Sequence, residues 1–89
     1  MSYDLRIDNA AAKEIRKLDP KIQARVMKAL RALQADPFRP GAKGLTNTEN
    51  MYRYRVGDYR ILYTVDGKRL VVWIVAVRHR SKAYRGMKQ

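Results

Sequence analysis

The chain has 89 residues, 46 % of them hydrophobic, which is enough for one compact domain over residues 1–89 and argues against disorder. It contains no cysteine, which excludes disulfide scaffolds, thiolate zinc sites and thiol nucleophiles. Its longest apolar run, residues 70–77, is far shorter than the roughly 20 residues of a membrane helix, and no signal peptide is apparent, so we expect a soluble cytoplasmic protein with no membrane partner.

The first elements form a strand and two helices. Residues 3–7 alternate apolar and polar side chains, which predicts a half-buried strand. A helix is predicted over residues 10–18, and Asp19-Pro20 marks the start of a second helix that continues to about residue 35. Because almost no linker separates the two helices, they are expected to form a hairpin.

The second half of the chain predicts three strands after a loop rich in Pro, Gly and Asn at residues 36–50. Gly57-Asp58 and Asp66-Gly67 supply the turns between these strands. The last segment, residues 78–89, is polar and basic and is expected to form no more than one short helix. The predicted strands cover residues 51–56, 59–65 and 69–77.

The order β-α-α-β-β-β predicts an α+β fold in which the helical hairpin packs on one face of a mostly antiparallel four-stranded sheet. Alternating tyrosines of the hairpin strands are expected to pack under the helices, while Trp73 and Phe38 are assigned to core and loop packing. The other sheet face then carries Arg53, Arg55 and Arg60, and it stays open unless a ligand binds it.

The charge indicates the class of partner. Twenty Lys and Arg against eight Asp and Glu give a net charge of +12, which is typical of a domain that binds a polyanion. Ser-His-Asp triads, metal-ligand spacings, phosphate-binding glycine loops and paired carboxylates are all missing from the sequence. Arg, Lys, Tyr and one His remain. RNA suits that set, because its own 2′-hydroxyl attacks the adjacent phosphate and the protein has only to position it and stabilise charge.

The candidate site draws on several strands. An Arg-x-Arg pair on an exposed sheet is more often a solvated surface than a site. Four arginines from three strands in so basic a chain, Arg53, Arg55, Arg60 and Arg78, favour a phosphate-binding site instead. His79 is the one histidine, and imidazole is a side chain that can accept a proton near neutral pH, so it is either a base or a surface neighbour.

Two segments resemble the RelE-type toxins of the RelE/ParE toxin–antitoxin superfamily. The hairpin at residues 51–63, MYRYRVGDYRILY, is similar to the centre of that family, and residues 77–85, VRHRSKAYR, are similar to its basic ending. The resemblance implies an mRNA interferase: a ribosome-dependent endoribonuclease that cuts A-site codons without metal or cofactor and leaves 2′,3′-cyclic phosphate and 5′-hydroxyl ends. The ParE-like branch shares the fold and poisons gyrase.

By position, the resemblance assigns roles to three residues. Arg60 matches the arginine that contacts the scissile phosphate. Arg78 matches the one that stabilises charge or protonates the leaving 5′-oxygen, and Tyr84 matches the tyrosine that stacks on or orients the substrate.

Arg53 and Arg55 stand where the best-described members carry lysines. Because a guanidinium is a poor general base, either they act electrostatically or His79 or Lys43 serves as the base. Further substrate contacts are expected from basic residues of the loop and tail: Lys43, Arg80, Lys82 and Arg85.

Three hypotheses follow. The first is an mRNA interferase that acts on the ribosome and its A-site mRNA and is silenced by a cognate RelB-like antitoxin in a hetero-oligomer. The second is a ParE-like gyrase inhibitor, and the third is a basic nucleic-acid-binding module without catalysis. Arg60, Arg78 and Tyr84 favour the first hypothesis.

Overall fold

A computed structural model describes residues 2–45 and 50–82 of the chain. The first strand, β1 (Asp4–Ile7), is followed by two helices, α1 (Asn9–Arg16) and α2 (Pro20–Ala35). The remaining elements are β2 (Lys43–Gly44), β3 (Met51–Val56), β4 (Tyr59–Asp66), β5 (Val71–His79) and a 3₁₀ turn at Arg80–Lys82.

The described strands form one five-stranded sheet in the order β1-β5-β4-β3-β2. β1 runs parallel to β5, and the other pairs are antiparallel. The α+β class and the helical hairpin are therefore confirmed. The prediction of four strands is wrong by one, because Lys43 and Gly44 pair with β3 as a strand too short to show alternation in a loop sequence.

The turns of the two β-hairpins form at the predicted Gly57-Asp58 and Asp66-Gly67 positions, but the second turn is longer than predicted. Gly57 turns β3 into β4 at φ +57°, a conformation that favours glycine. The turn into β5 takes four residues, 67–70, and Leu70 adopts φ +55°. Asp66 Oδ1 stabilises this longer turn by accepting backbone N–H groups at 3.0 Å from Lys68 and Arg69. β5 therefore begins and ends two residues later than predicted.

The core lies between the two helices and one sheet face. Tyr63 is fully buried in it, and its hydroxyl donates to the Pro37 carbonyl oxygen at 2.6 Å. Burial, with smaller effects from Tyr52 and Tyr54, raises the pKa of Tyr63 well above its usual range. The aliphatic side chains of this core come from both helices and the two central strands: Ala11, Ile15, Val26, Leu30, Leu33, Ile61, Val65, Val72, Ile74 and Val77.

The opposite face differs from expectation at two places. Trp73 is 43 % exposed there, so its assignment to the core is wrong. Val72 and Ile74 take the helix side, and a strand that is apolar on both faces gives no signal for which face a given residue occupies. Leu62 and Ala76 on this same face are buried, so the face is not open at its centre.

Neither helix of the described segments has the length and hydrophobicity needed to cross a membrane.

Candidate functional site

Three arginines lie side by side across the sheet. Arg60 is directly opposite Arg55 on β3 and directly opposite Arg78 on β5. Cα atoms of such opposed residues lie about 4.5–5.5 Å apart, and their side chains leave the sheet on the same face. We call these three residues the arginine row. The arginine row begins on the sheet face opposite the helices. The structure thus brings together three of the four arginines that were selected from the sequence.

Next to the arginine row, Arg53 of β3 forms a cationic pair with Lys43 of β2. They are directly opposite each other on β3 and β2. Together with Arg55 they line a cavity of about 250 Å³ at the sheet edge. Gly41, at φ +99°, brings the loop against this edge, because a Cβ there would lie 3.2 Å from the Tyr54 ring. The short strand β2 thus places Lys43 beside the arginines.

Arg78 is held by an acidic residue of α1. β1 pairs only with residues 71–74 of β5, and α1 packs beside the rest of that strand. Glu14 Oε1 accepts the Val77 backbone N–H at 2.9 Å, and Glu14 Oε2 accepts the Arg78 Nε at 2.8 Å. Both charged side chains are partly buried, at 29 % and 28 % exposed. The pair fixes the direction in which the Arg78 side chain leaves β5.

Sequence reasoning missed Glu14. Its importance depends on the parallel pairing of β1 with β5, which joins distant parts of the chain and leaves no local pattern. The available signal is that Glu14 is the only acidic residue of α1.

A cavity of about 500 Å³ lies where α1 meets the ends of β4 and β5. Its wall combines charged and apolar side chains, and it places Lys82 near Arg78. Arg60 is oriented toward the neighbouring turn, where its Nη1 lies 3.2 Å from the Tyr59 carbonyl oxygen. The lining residues of the cavity are Glu14, Lys17, Leu18, Tyr59, Val77, Arg78 and Lys82.

His79 is placed apart from the arginine row. His79 lies opposite Tyr59 on β4. Ile61 and Tyr63, which alternate with Tyr59 along β4, face the helices, so the His79 ring is on the helix side of the sheet and not on the side of the arginine row. The ring packs edge-on against Tyr59 with centroids 5.5 Å apart. The Ser81 backbone N–H donates to its Nδ1 at 3.3 Å, with the Ser81 hydroxyl 3.0 Å away. Nδ1 is therefore the acceptor, and a neutral ring carries its proton on Nε2.

The structure describes the basic tail as far as Lys82. The Arg80 backbone N–H donates to the Asp58 carbonyl oxygen at 2.7 Å, which ties the 3₁₀ turn to the turn between β3 and β4. Tyr84 and Arg85 lie outside the described residues, so their predicted roles stay predictions.

The chain is thus a small domain with a helical hairpin on one sheet face and a row of arginines on the other. The profile of the family described as the ParE toxin of the type II toxin–antitoxin system parDE matches residues 5–84. The chain therefore belongs to the RelE/ParE superfamily of type II toxins, and its similar proteins are of the RelE type.

Individual relatives cover nearly the whole chain. Toxin RelG from Mycobacterium tuberculosis is 34 % identical over 86 residues, covering 96 % of this chain and 99 % of the relative. The mRNA interferase toxin RelE of Escherichia coli K12 is 32 % identical over 88 residues, covering 94 % and 92 %. The toxin–antitoxin complex RelBE2 of M. tuberculosis contains a chain of similar fold with a TM-score of 0.80 and 32 % identity, covering 90 % and 100 %.

Proposed function

We propose that this toxin is a ribosome-dependent mRNA endonuclease that cuts codons in the A site. The observation that carries the proposal is the strand register that sets Arg55, Arg60 and Arg78 next to one another on one face. A relative of similar length is named an mRNA interferase, which supports the same activity. Forked, permanently charged guanidinium groups suit the non-bridging oxygens of an RNA phosphate.

In the proposed reaction the 2′-oxygen bonds to the adjacent phosphorus while the bond from phosphorus to the 5′-oxygen breaks. The 2′-hydroxyl loses its proton, the leaving 5′-oxygen gains one, and the products are a 2′,3′-cyclic phosphate and a 5′-hydroxyl. Arg60 and Arg78 stabilise the added negative charge, and Arg53 and Arg55 hold the flanking backbone. Tyr84 stacks on the substrate. None of these steps requires a metal ion or a cofactor.

The general base is proposed to come from the arginine face or from the ribosome. Lys43 lies beside Arg53 on that face. The His79 side chain lies on the helix side of the sheet, and its Nδ1 accepts a hydrogen bond from the Ser81 backbone N–H. Of the two side chains considered from the sequence, Lys43 therefore has the better position.

The proposed partner that silences the toxin is a cognate RelB-like antitoxin, because a similar chain was solved as a toxin–antitoxin complex. The net charge of +12 favours an acidic or amphipathic antitoxin segment, since opposite charges across an interface accelerate association. The two proteins would form a hetero-oligomer in the cytoplasm.

The proposal is tested in a translation extract by mapping the 5′ ends of mRNA, with and without the antitoxin encoded beside the toxin gene. Cuts at a fixed position within codons, absent when the antitoxin is present, are expected. Gyrase-linked DNA breaks without such cuts would identify a ParE-type activity instead. Salt-dependent RNA binding with neither outcome would identify a binding module.

The matched control is Arg31→Ala, which removes one exposed cation from α2 on the other side of the molecule. It should cut like the wild type, whereas Arg60→Ala should not.

A further inference from the structure

Trp73 is the only tryptophan in the chain, and it lies on the face opposite the helices. Its strand neighbours Val72 and Ile74 are fully buried, while its own side chain is 43 % exposed. It pairs with Thr64 on β4 and with Arg6 on β1, so it occupies the middle of the sheet and not an edge. A flat aromatic surface is thus presented to solvent on the face that carries the arginine row.

Hydrogen-bonding groups surround one side of this ring. A cavity of about 710 Å³ is lined by Trp73, Asn50, Thr64, Asp66, Lys68 and the turn into β5. The Asp66 carboxylate already accepts two backbone N–H groups of that turn. Asn50 offers an amide that both donates and accepts, Thr64 a hydroxyl, and Lys68 a cation. An aromatic wall beside a few polar groups is the kind of surface that receives a planar, hydrogen-bonding ring.

The cavity lies within reach of the arginine row along β4. Arg60 and Thr64 leave the sheet on the same face four residues apart, about 13 Å at the rise of a strand. A single strand of RNA whose backbone is held at the arginine row therefore reaches Trp73 within a few nucleotides. Grooves for single strands combine the same two parts, cations for the backbone and aromatic rings for the bases.

We propose that Trp73 and the cavity beside it bind an unpaired RNA base, which stacks on the indole ring. This inference rests on the proposed function, because it assumes that the arginine row holds RNA. It adds a second contact point to the substrate site. The RNA strand would then run from the arginine row toward the turn between β4 and β5.

The single tryptophan makes stacking directly measurable by its intrinsic fluorescence. A short single-stranded RNA is titrated into the full chain, with inorganic polyphosphate and an RNA of equal length containing abasic positions as controls. The normal RNA should quench the fluorescence saturably, whereas the controls should bind without quenching. Binding of the normal RNA with no more fluorescence change than the abasic RNA would overturn the proposal.

Substitution supplies a second measurement. Trp73→Leu keeps the apolar bulk but removes the stacking ring, and should weaken RNA binding by roughly tenfold, toward the lower end of what one stacked base contributes. Trp73→Phe keeps an aromatic face and should stay close to the wild type. Equal affinities for all three proteins, with unchanged melting temperatures, would contradict a stacking role.

Programmed ribosomes distinguish the source of the base and separate this inference from the proposed function. If the base belongs to mRNA, an abasic mRNA position and Trp73→Leu should slow cleavage by the same factor, with no further loss when combined. If it belongs to ribosomal RNA, Trp73→Leu should slow cleavage of normal and abasic mRNA alike. Cleavage by the wild type without any effect of Trp73→Leu refutes the inference alone, and quenching by RNA without cleavage refutes the proposed function alone.

Discussion

Arg60 occupies the middle of the arginine row, with a guanidinium on each neighbouring strand. Removing one oriented donor from a phosphate transition state costs about 10²–10³ in rate. We therefore expect Arg60→Ala to lower the single-turnover rate on programmed ribosomes by that factor with an unchanged melting temperature. Arg78→Ala should lose as much activity but also melt earlier, because Glu14 loses its partner. Wild-type cleavage by Arg60→Ala would remove it from the site.

His79 tests whether an imidazole takes the proton of the 2′-hydroxyl. Since its Nδ1 already accepts from Ser81 and its ring leaves the other face, we expect His79→Gln to cause a modest loss of rate. The dependence of the single-turnover rate on pH between 5 and 8 should keep its shape. An acidic limb present in the wild type and missing in His79→Gln would instead identify His79 as the base.

Tyr63 connects the stability of the core to alkaline pH. Its pKa is raised in the folded state, mainly by burial, so the hydroxyl stays protonated in the fold while an unfolded chain ionises near pH 10. The stability that this group contributes is complete below pH 10 and declines as the pH rises above it. Tyr63→Phe, which removes the donor to Pro37, should cost about 1 kcal/mol at pH 8.

Thermal melts of both proteins between pH 8 and 11.5 would measure this effect. The difference between wild type and Tyr63→Phe should narrow above pH 10. A constant difference would show that the hydroxyl titrates equally in both states.

Among the elements, helix α1 packs against the end of β5 that does not pair with β1. Glu14→Gln keeps an oxygen for the Val77 N–H but loses the carboxylate that accepts the Arg78 Nε. Because the pair is partly exposed, we expect a loss of stability of about 1 kcal/mol. We also expect slower cleavage, since Arg78 is no longer held in one direction.

A double-mutant cycle separates these two effects. In an Arg78→Ala background, Glu14→Gln should cause no further loss of cleavage rate. An equal loss in both backgrounds would mean that Glu14 acts only through the general stability of the fold.

The helices and strands differ in how well the sequence predicts them. Period-two alternation and the glycine turns predicted β3 with the correct ends and β4 one residue short at its end, and helical spacing with an Asp-Pro start predicted α2. These signals are local. The parallel pairing of β1 and the contact of Glu14 with β5 join distant residues, so no local pattern predicts them. The strand β2 was missed because two residues are too short to show alternation. The face of Trp73 was missed because β5 is apolar on both sides.

As a whole, the described part of the molecule presents cations on a sheet face, and the cavities described above at that face and at its end are open to solvent. A surface of this kind binds RNA through charge but does not impose in-line geometry on a flexible strand. We therefore expect tight, salt-dependent binding of naked RNA with slow or undetectable cleavage. Adding ribosomes should restore rapid cutting. Fast cleavage of naked RNA that survives repurification would contradict this.

The place of β5 in the sheet has a consequence for the order of events during synthesis. β5 lies between β1 and β4, yet it is made after the other four strands that the structure describes. A growing chain that ends before residue 71 has neither a partner for β1 nor the residue that lies opposite Arg60 on β5. Contacts between such distant segments are slow to form. Under the proposed function, we therefore expect a copy that terminates before Arg78 to lack the complete arginine row and to be inactive.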